Sequence, residues 1–265
     1  MKLLLSLAVL AACAGCPGGN TGQKRPYAEP KADEVVGRLA KQRDALKSFS
    51  AESKMDYWLG DQRVKGDVLV MGTTGKKVRF NALSPAGGDV LVDMACGGTN
   101  FAYVDKQNNC QLAGPCDRSS IAAMLRIELE PDDFLHLAMG TPPVIEGTKT
   151  IAWDSSRSLE KVEVKGPTGT QTLTLDLRNG RLDVIDSELK DANGKTVWSV
   201  KNTDFESSPD AAGGDHRLPT KTQFKSPKEK ADLVVEWGQR TINPTIDDAK
   251  FVVSVPDGLP RCGAK

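Results

Sequence analysis

The side chains able to do chemistry are few: six cysteines and two histidines among 265 residues. Cys13 and Cys16 have the CxxC spacing of a redox or zinc site. No second CxxC and no histidine pair follows to complete a tetrahedral metal site. His136 falls between Leu135 and Leu137, the setting of a core-edge histidine bonded to backbone more than of a catalytic base. His216 stands in a polar loop. Asp132-Asp133 fits the first turn of a helix, where acidic side chains meet the positive end of the dipole, and Asp247-Asp248 fits a turn leading into a strand. There is no G-x-S-x-G, no HExxH and no phosphate-cradling glycine loop. These residues argue against an enzyme and imply no cofactor and no metal.

Cys13 has a chemistry of its own. It follows Leu10, Ala11 and Ala12 at the end of a leader with one positive charge, Lys2, and an apolar stretch from Leu3 to Leu10 too short to span a bilayer. The pattern resembles a bacterial lipobox. The resemblance implies that residues 1–12 are a signal peptide removed before Cys13, and that the Cys13 thiol is acylated, carrying palmitate or a similar chain. Two or three acyl chains make attachment effectively permanent. Ala14 in place of aspartate implies an outer-membrane destination by analogy with lipoprotein sorting, with the membrane face left open.

Lys and Arg balance Asp and Glu at 35 each, so nothing electrostatic favours a nucleic-acid partner. No apolar run after the leader approaches the ~20 residues of a transmembrane helix. An exported chain meets an oxidising compartment, which makes Cys96, Cys110, Cys116 and Cys262 disulfide candidates; Cys16 is a spare thiol. If the strand over Phe101 to Asp105 pairs with both neighbours, Cys96 and Cys116 reach one end of it and Cys110 the other. That gives Cys96 with Cys116 and Cys110 with Cys262, while Cys110 with Cys116 stays open because of the ~7 Å limit on Cα separation.

The elements are read from periodicity. Residues 13–31 are rich in Gly, Pro and Lys and read as a flexible tether reaching ~25 Å on average; residues 32–265 read as one domain. Asp33 opens a helix with Val35, Leu39, Leu46 and Phe49 on one face. Strands are expected over Ala51 to Leu59, Val64 to Met71, Lys77 to Leu83, Val90 to Ala95 and Phe101 to Asp105, joined by hairpins into a meander. Asp117 or Ser119 caps a helix with Ile121, Met124, Leu125 and Leu129, and Pro131 starts another with Phe134, Leu135, Leu137, Ala138 and Met139. Both are apolar on more than one face, so they should sit inside a concavity. A second meander runs from Thr150 to Glu206 with hairpins at Asn179-Gly180 and Asn193-Gly194, followed by strands over Thr220 to Lys225, Leu233 to Arg240 and Lys250 to Val255. The fold class is mainly β (α+β): a single curved antiparallel sheet of about ten or eleven strands forming an unclosed barrel, with an N-terminal helix and a mid-chain helical lid.

This order resembles the LolA/LolB-like lipoprotein carrier superfamily, over roughly Asp33 to Gly258. Leu218-Pro219, Thr241-Ile242-Asn243-Pro244, Ile246-Asp247-Asp248 and Phe251 to Gly258 are similar to the closing segment of such proteins. The resemblance implies an apolar ligand, a lipid or acyl chain, sheltered between sheet and lid, with a role in lipid or lipoprotein transport. Trp58, Met71, Phe80, Met94, Met124, Leu125, Phe134, Leu135, Trp153, Trp198 and Trp237 are the candidate ligand-binding residues, spread one or two per element as for a shared interior. Trp58-Leu59 is the nearest match to a protruding apolar loop, though the end of a buried strand suits it better. A solid core explains the same residues, and then the protein is a structural or adaptor lipoprotein that binds an envelope protein complex.

Overall fold

The structure, a computed structural model, describes residues 22–85, 87–125 and 129–263. Cys13, Cys16 and the leader lie outside the described residues. Helix α1 (Ala32–Ala45) leads into β1 (Ser48–Leu59), β2 (Gln62–Thr73), β3 (Lys77–Leu83), β4 (Val90–Gly97), β5 (Asn100–Asp105) and β6 (Cys110–Pro115). Helices α2 (Arg118–Leu125) and α3 (Pro131–Ala138) follow. The chain returns to the sheet in β7 (Thr148–Asp154), β8 (Leu159–Gly166), β9 (Gly169–Asp176), β10 (Asp183–Lys190), β11 (Thr196–Pro209), β12 (Asp215–Ser226) and β13 (Ala231–Ile242). All thirteen strands form one sheet in the order β6-β5-β4-β3-β2-β1-β13-β12-β11-β10-β9-β8-β7. Every named neighbour pairs antiparallel, and the two edges, β6 and β7, do not meet. The sheet is thus an unclosed meander sealed at its centre by β13 against β1.

Period-two alternation decides the faces. Along β1, Phe49, Ala51, Met55 and Tyr57 are buried on the inner face while Glu52, Lys54 and Trp58 point out. Two buried clusters coat the inner face. The larger joins β1 to β4 and β11 to β13 to α3 through Phe49, Phe80, Met94, Leu135, Met139 and Trp237. The smaller joins α1, through Val35 and Leu39, to Val162, Val164, Leu173 and Leu175 of β8 and β9. The capping reading holds for α2, whose Asp117 Oδ1 accepts from Ser119 N at 2.9 Å and Ser120 N at 3.2 Å. Gly72 lets α3 settle onto β2: a Cβ there would lie 2.5 Å from Leu135 Cδ1.

Several expectations are corrected. The sheet has thirteen strands where the sequence pattern predicts about ten or eleven; β6 is one of the additional strands, and its Gly114 and Pro115 hide its strand character. Helix α1 stops at Ala45, so Leu46 and Phe49 serve the larger core from the turn and from β1. Lys250 to Val255 forms no strand. After a 3₁₀ turn at Asp248–Phe251 it crosses the outer face of the sheet, where Arg79 Nη1 donates to Lys250 O at 2.7 Å. That path brings Cys262 beside Gln111, whose backbone accepts from Cys262 N at 2.9 Å. The disulfides are Cys96–Cys116 and Cys110–Cys262, with Cα separations of 5.4 Å and 4.9 Å.

The end of the expected tether is not free. Gln23 N donates to Ser155 O at 3.0 Å, and Arg25 pairs with Glu160 at 2.7 Å. A buried acid on β8 therefore draws residues of the Gly-Pro-Lys segment onto the sheet edge.

Candidate functional site

The inner face between α1 and α3 is where an apolar ligand would have to lie. Helix α3 presents Phe134, Leu137 and Ala138 to Thr222, Phe224, Leu233, Val235 and Trp237, leaving a void of only about 20 Å³. Trp237 Nε1 donates to Thr222 Oγ1 at 3.0 Å, so the indole is fixed within the core. His136, buried with its Nδ1 3.4 Å from Thr141 Oγ1, is pushed down to about 3 by burial and by the Arg43 and Lys47 charges, and it stays neutral. Arg240 is 5% exposed, and its Nη1 donates to Ala138 O at 3.4 Å while Nε has no partner among the described residues. Burial lowers its pKa to about 10, which still leaves a cation beneath the last turn of α3.

The segment after α3 forms a strap, residues 141–147. Gln171, wholly buried on β9, holds it: Nε2 donates to Pro143 O at 2.8 Å and Oε1 accepts from Ile145 N at 2.8 Å. On one side of the strap a groove of about 440 Å³ runs along α1, floored by Leu39, Leu173 and Val184. Arg43–Asp133, at 2.5 Å, and Lys149 line it as well. On the other side a cleft of about 280 Å³ is lined by Leu129, Leu189, Val197, Trp198 and Phe224. Trp198 stacks on Phe224 with ring centroids 6.4 Å apart. Val144 and Ile145 line both spaces, so the strap is their shared wall.

The structure gathers some of the expected residues and scatters others. Trp198 lines the cleft, and Phe134 and Trp237 line the small void. Phe80 pairs with Met94 across β3 and β4 and is packed into the larger core with Leu135. The side chains of Met124 and Leu125 lie outside those described. Three residues are misplaced by a shared-interior reading. Trp58 is 43% exposed on the outer face, with the Arg63 guanidinium 4.9 Å from its ring centre. Met71 faces away from Val68, Val70 and Gly72, because it has the opposite strand parity. Trp153 sits near the far edge, where its Nε1 donates to Gln23 O at 2.6 Å. Leu129, in a predicted helix, and Phe224, in a predicted strand, also line the cleft, and nothing in their local pattern separates them from other apolar residues. Val144 and Ile145 carry no periodic signal, since a strap has none, while Gln171 shares the parity of Leu173 and Leu175 on β9 but is polar, so an apolar pattern passes over it.

Among the described residues no group of His, Cys, Asp or Glu could hold a metal ion, and no helix is long and apolar enough to cross a membrane. No family model and no curated protein matches the sequence. Solved structures do match in shape. A LolA superfamily protein from Nitrosomonas europaea aligns with a TM-score of 0.53 at 11% identity, covering 85% of this chain and 99% of its own. A DUF1329 family protein from Desulfovibrio piger aligns at 0.54 and 13% identity, covering 83% and 95%. A domain described as an outer membrane lipoprotein-sorting protein, from Vibrio parahaemolyticus, aligns at 0.51 and 6% identity, covering 82% and 94%. With an open antiparallel sheet whose inner face carries helices, this chain has the LolA/LolB-like fold.

Proposed function

We propose that the protein is a non-enzymatic lipoprotein, anchored through Cys13 at the outer membrane, that shelters an apolar ligand such as a lipid or acyl chain. The observation that carries this reading is the pair of apolar-floored spaces either side of the 141–147 strap. Their volumes, about 440 and 280 Å³, bracket the lower range of small-ligand sites. Their position on the inner face of a LolA/LolB-like fold supports lipid or lipoprotein transport in the envelope. Polar groups that would orient a headgroup are present at the margin, in Arg43, Asp133 and Lys149.

The void of about 20 Å³ beneath α3 favours a second reading. A filled interior suits a structural or adaptor lipoprotein that binds an envelope protein complex. Native mass spectrometry of the detergent-extracted protein separates the two. Co-purifying lipid that is lost on Ile145→Asp supports sheltering. A ligand-free protein recovered in a stable stoichiometric complex supports the adaptor, and sheltering is then refuted.

A further inference from the structure

The N-terminal segment is clasped to one end of the sheet, and the chemistry around the clasp is cationic. Gln23 is held by Ser155 O, by the Trp153 indole at 2.6 Å and by the Ser158 hydroxyl. Arg25 makes a two-pronged pair with Glu160, at 2.7 and 3.1 Å, and its guanidinium lies 5.8 Å from the Trp153 ring centre. Tyr27 meets the same ring edge-on at 6.0 Å. The Glu160 side chain is 0% exposed, so releasing Arg25 would strand a buried carboxylate, a costly change. Gly22, where the described residues begin, therefore lies at the β7–β8 hairpin. Nine residue steps separate Gly22 from Cys13, a reach of ~30 Å at full extension.

That end of the sheet is where strand polarity also places the β9–β10 loop. Around it stand Lys24, Arg38, Arg157, Arg178, Arg181 and Arg217. Arg38 bridges to Gly180 O and Arg181 O; Arg157 pairs with Asp186, whose side chain is 31% exposed, and the acids that pair with Arg178, Arg181 and Arg217 lie behind them. Asp176 and Asp183 are each 5% exposed, whereas Arg178, Arg181 and Arg217 side chains are 40%, 40% and 42% exposed. In the Asp176 and Asp183 pairs the carboxylate is turned inward and the guanidinium group outward.

From the clasp, the short span to Cys13 and this charge arrangement, we infer that the β7–β8 and β9–β10 end docks on an anionic lipid surface, the one that carries the anchor. The inference rests on the proposed acylation of Cys13 for its setting, but the surface can be tested without the anchor. The chain beginning at residue 13, with Cys13→Ser, should co-sediment with vesicles containing phosphatidylglycerol, weakly with pure phosphatidylcholine, and less as salt rises. Lys24→Gln, Arg38→Gln and Arg157→Gln together leave no buried acid unpaired and should lower partitioning more than tenfold. Lys65→Gln, Lys195→Gln and Lys230→Gln, at the opposite end, should leave it unchanged. Loss of binding in the second set alone, or no preference for phosphatidylglycerol, overturns the inference. Trypsin should spare the bond after Lys24 in the parent chain and cut it in Glu160→Gln; equal cutting removes the clasp and the inference with it. Mass spectrometry of Cys13 in the exported protein tests the anchor separately.

Discussion

The seat of α3 on β2 can be tested by exchanging size across it. Leu135 is 0% exposed, and Gly72 lies beneath it so closely that an added Cβ would stand 2.5 Å from Leu135 Cδ1 and 3.1 Å from Lys77 O. Leu135→Ala removes a fully packed side chain and should cost about 3 kcal/mol or more, transfer and cavity together. For a domain of this size that lowers Tm by roughly 6–12 °C. Gly72→Ala overpacks the same spot and should cost about 1–3 kcal/mol. In the double variant the new methyl enters space that Leu135 vacates. The double variant should then be at least ~1 kcal/mol more stable than the sum of the single effects. The recovery is incomplete because the Lys77 carbonyl stays where it is. Urea unfolding followed by circular dichroism, with the slope checked for constancy, supplies the three differences. Strict additivity, or a Leu135→Ala protein with unchanged stability, would refute the docking of α3 on the inner face.

Acid should loosen the same region. His136 titrates near 3 in the folded protein against 6.5 for an ordinary histidine, so the unfolded chain binds the proton first. Its contribution is complete above pH 6.5 and is lost as pH falls, by ~2 kcal/mol at about pH 5; His136→Gln should flatten the stability profile between pH 7 and 5. Peptide mapping without reduction should recover Cys96–Cys116 and Cys110–Cys262, and loss of the second through Cys262→Ser should cost up to about 5 kcal/mol, given the 152-residue separation it closes. Recovery of Cys110 joined to Cys116 would contradict the path of the C-terminal segment. Palmitate labelling should survive Cys16→Ser and vanish with Cys13→Ser; the reverse would overturn the anchor assignment.

Local chemistry was enough for much of the architecture. Alternation and turn residues, such as Gly60-Asp61 between β1 and β2 and Asn193-Gly194 between β10 and β11, mark antiparallel neighbours because each hairpin is a short-range event. The period of the apolar residues around Leu135 announces a helix, and its excess of apolar faces announces burial. What the sequence could not decide is which wall each large side chain meets. Trp58, Met71 and Trp198 are all large, apolar and strand-borne, yet only Trp198 faces the cleft, because strand parity is fixed by the register of the whole sheet. The joining of β13 to β1 brings residues nearly two hundred positions apart into register, Phe49 with Ile242 among them, and no local pattern encodes that pairing. The strap and the N-terminal clasp are tertiary in the same sense. Gln171 and Glu160 are buried polar groups on neighbouring strands that must find partners, and only the folded sheet brings Pro143, Ile145 and Arg25 within their reach.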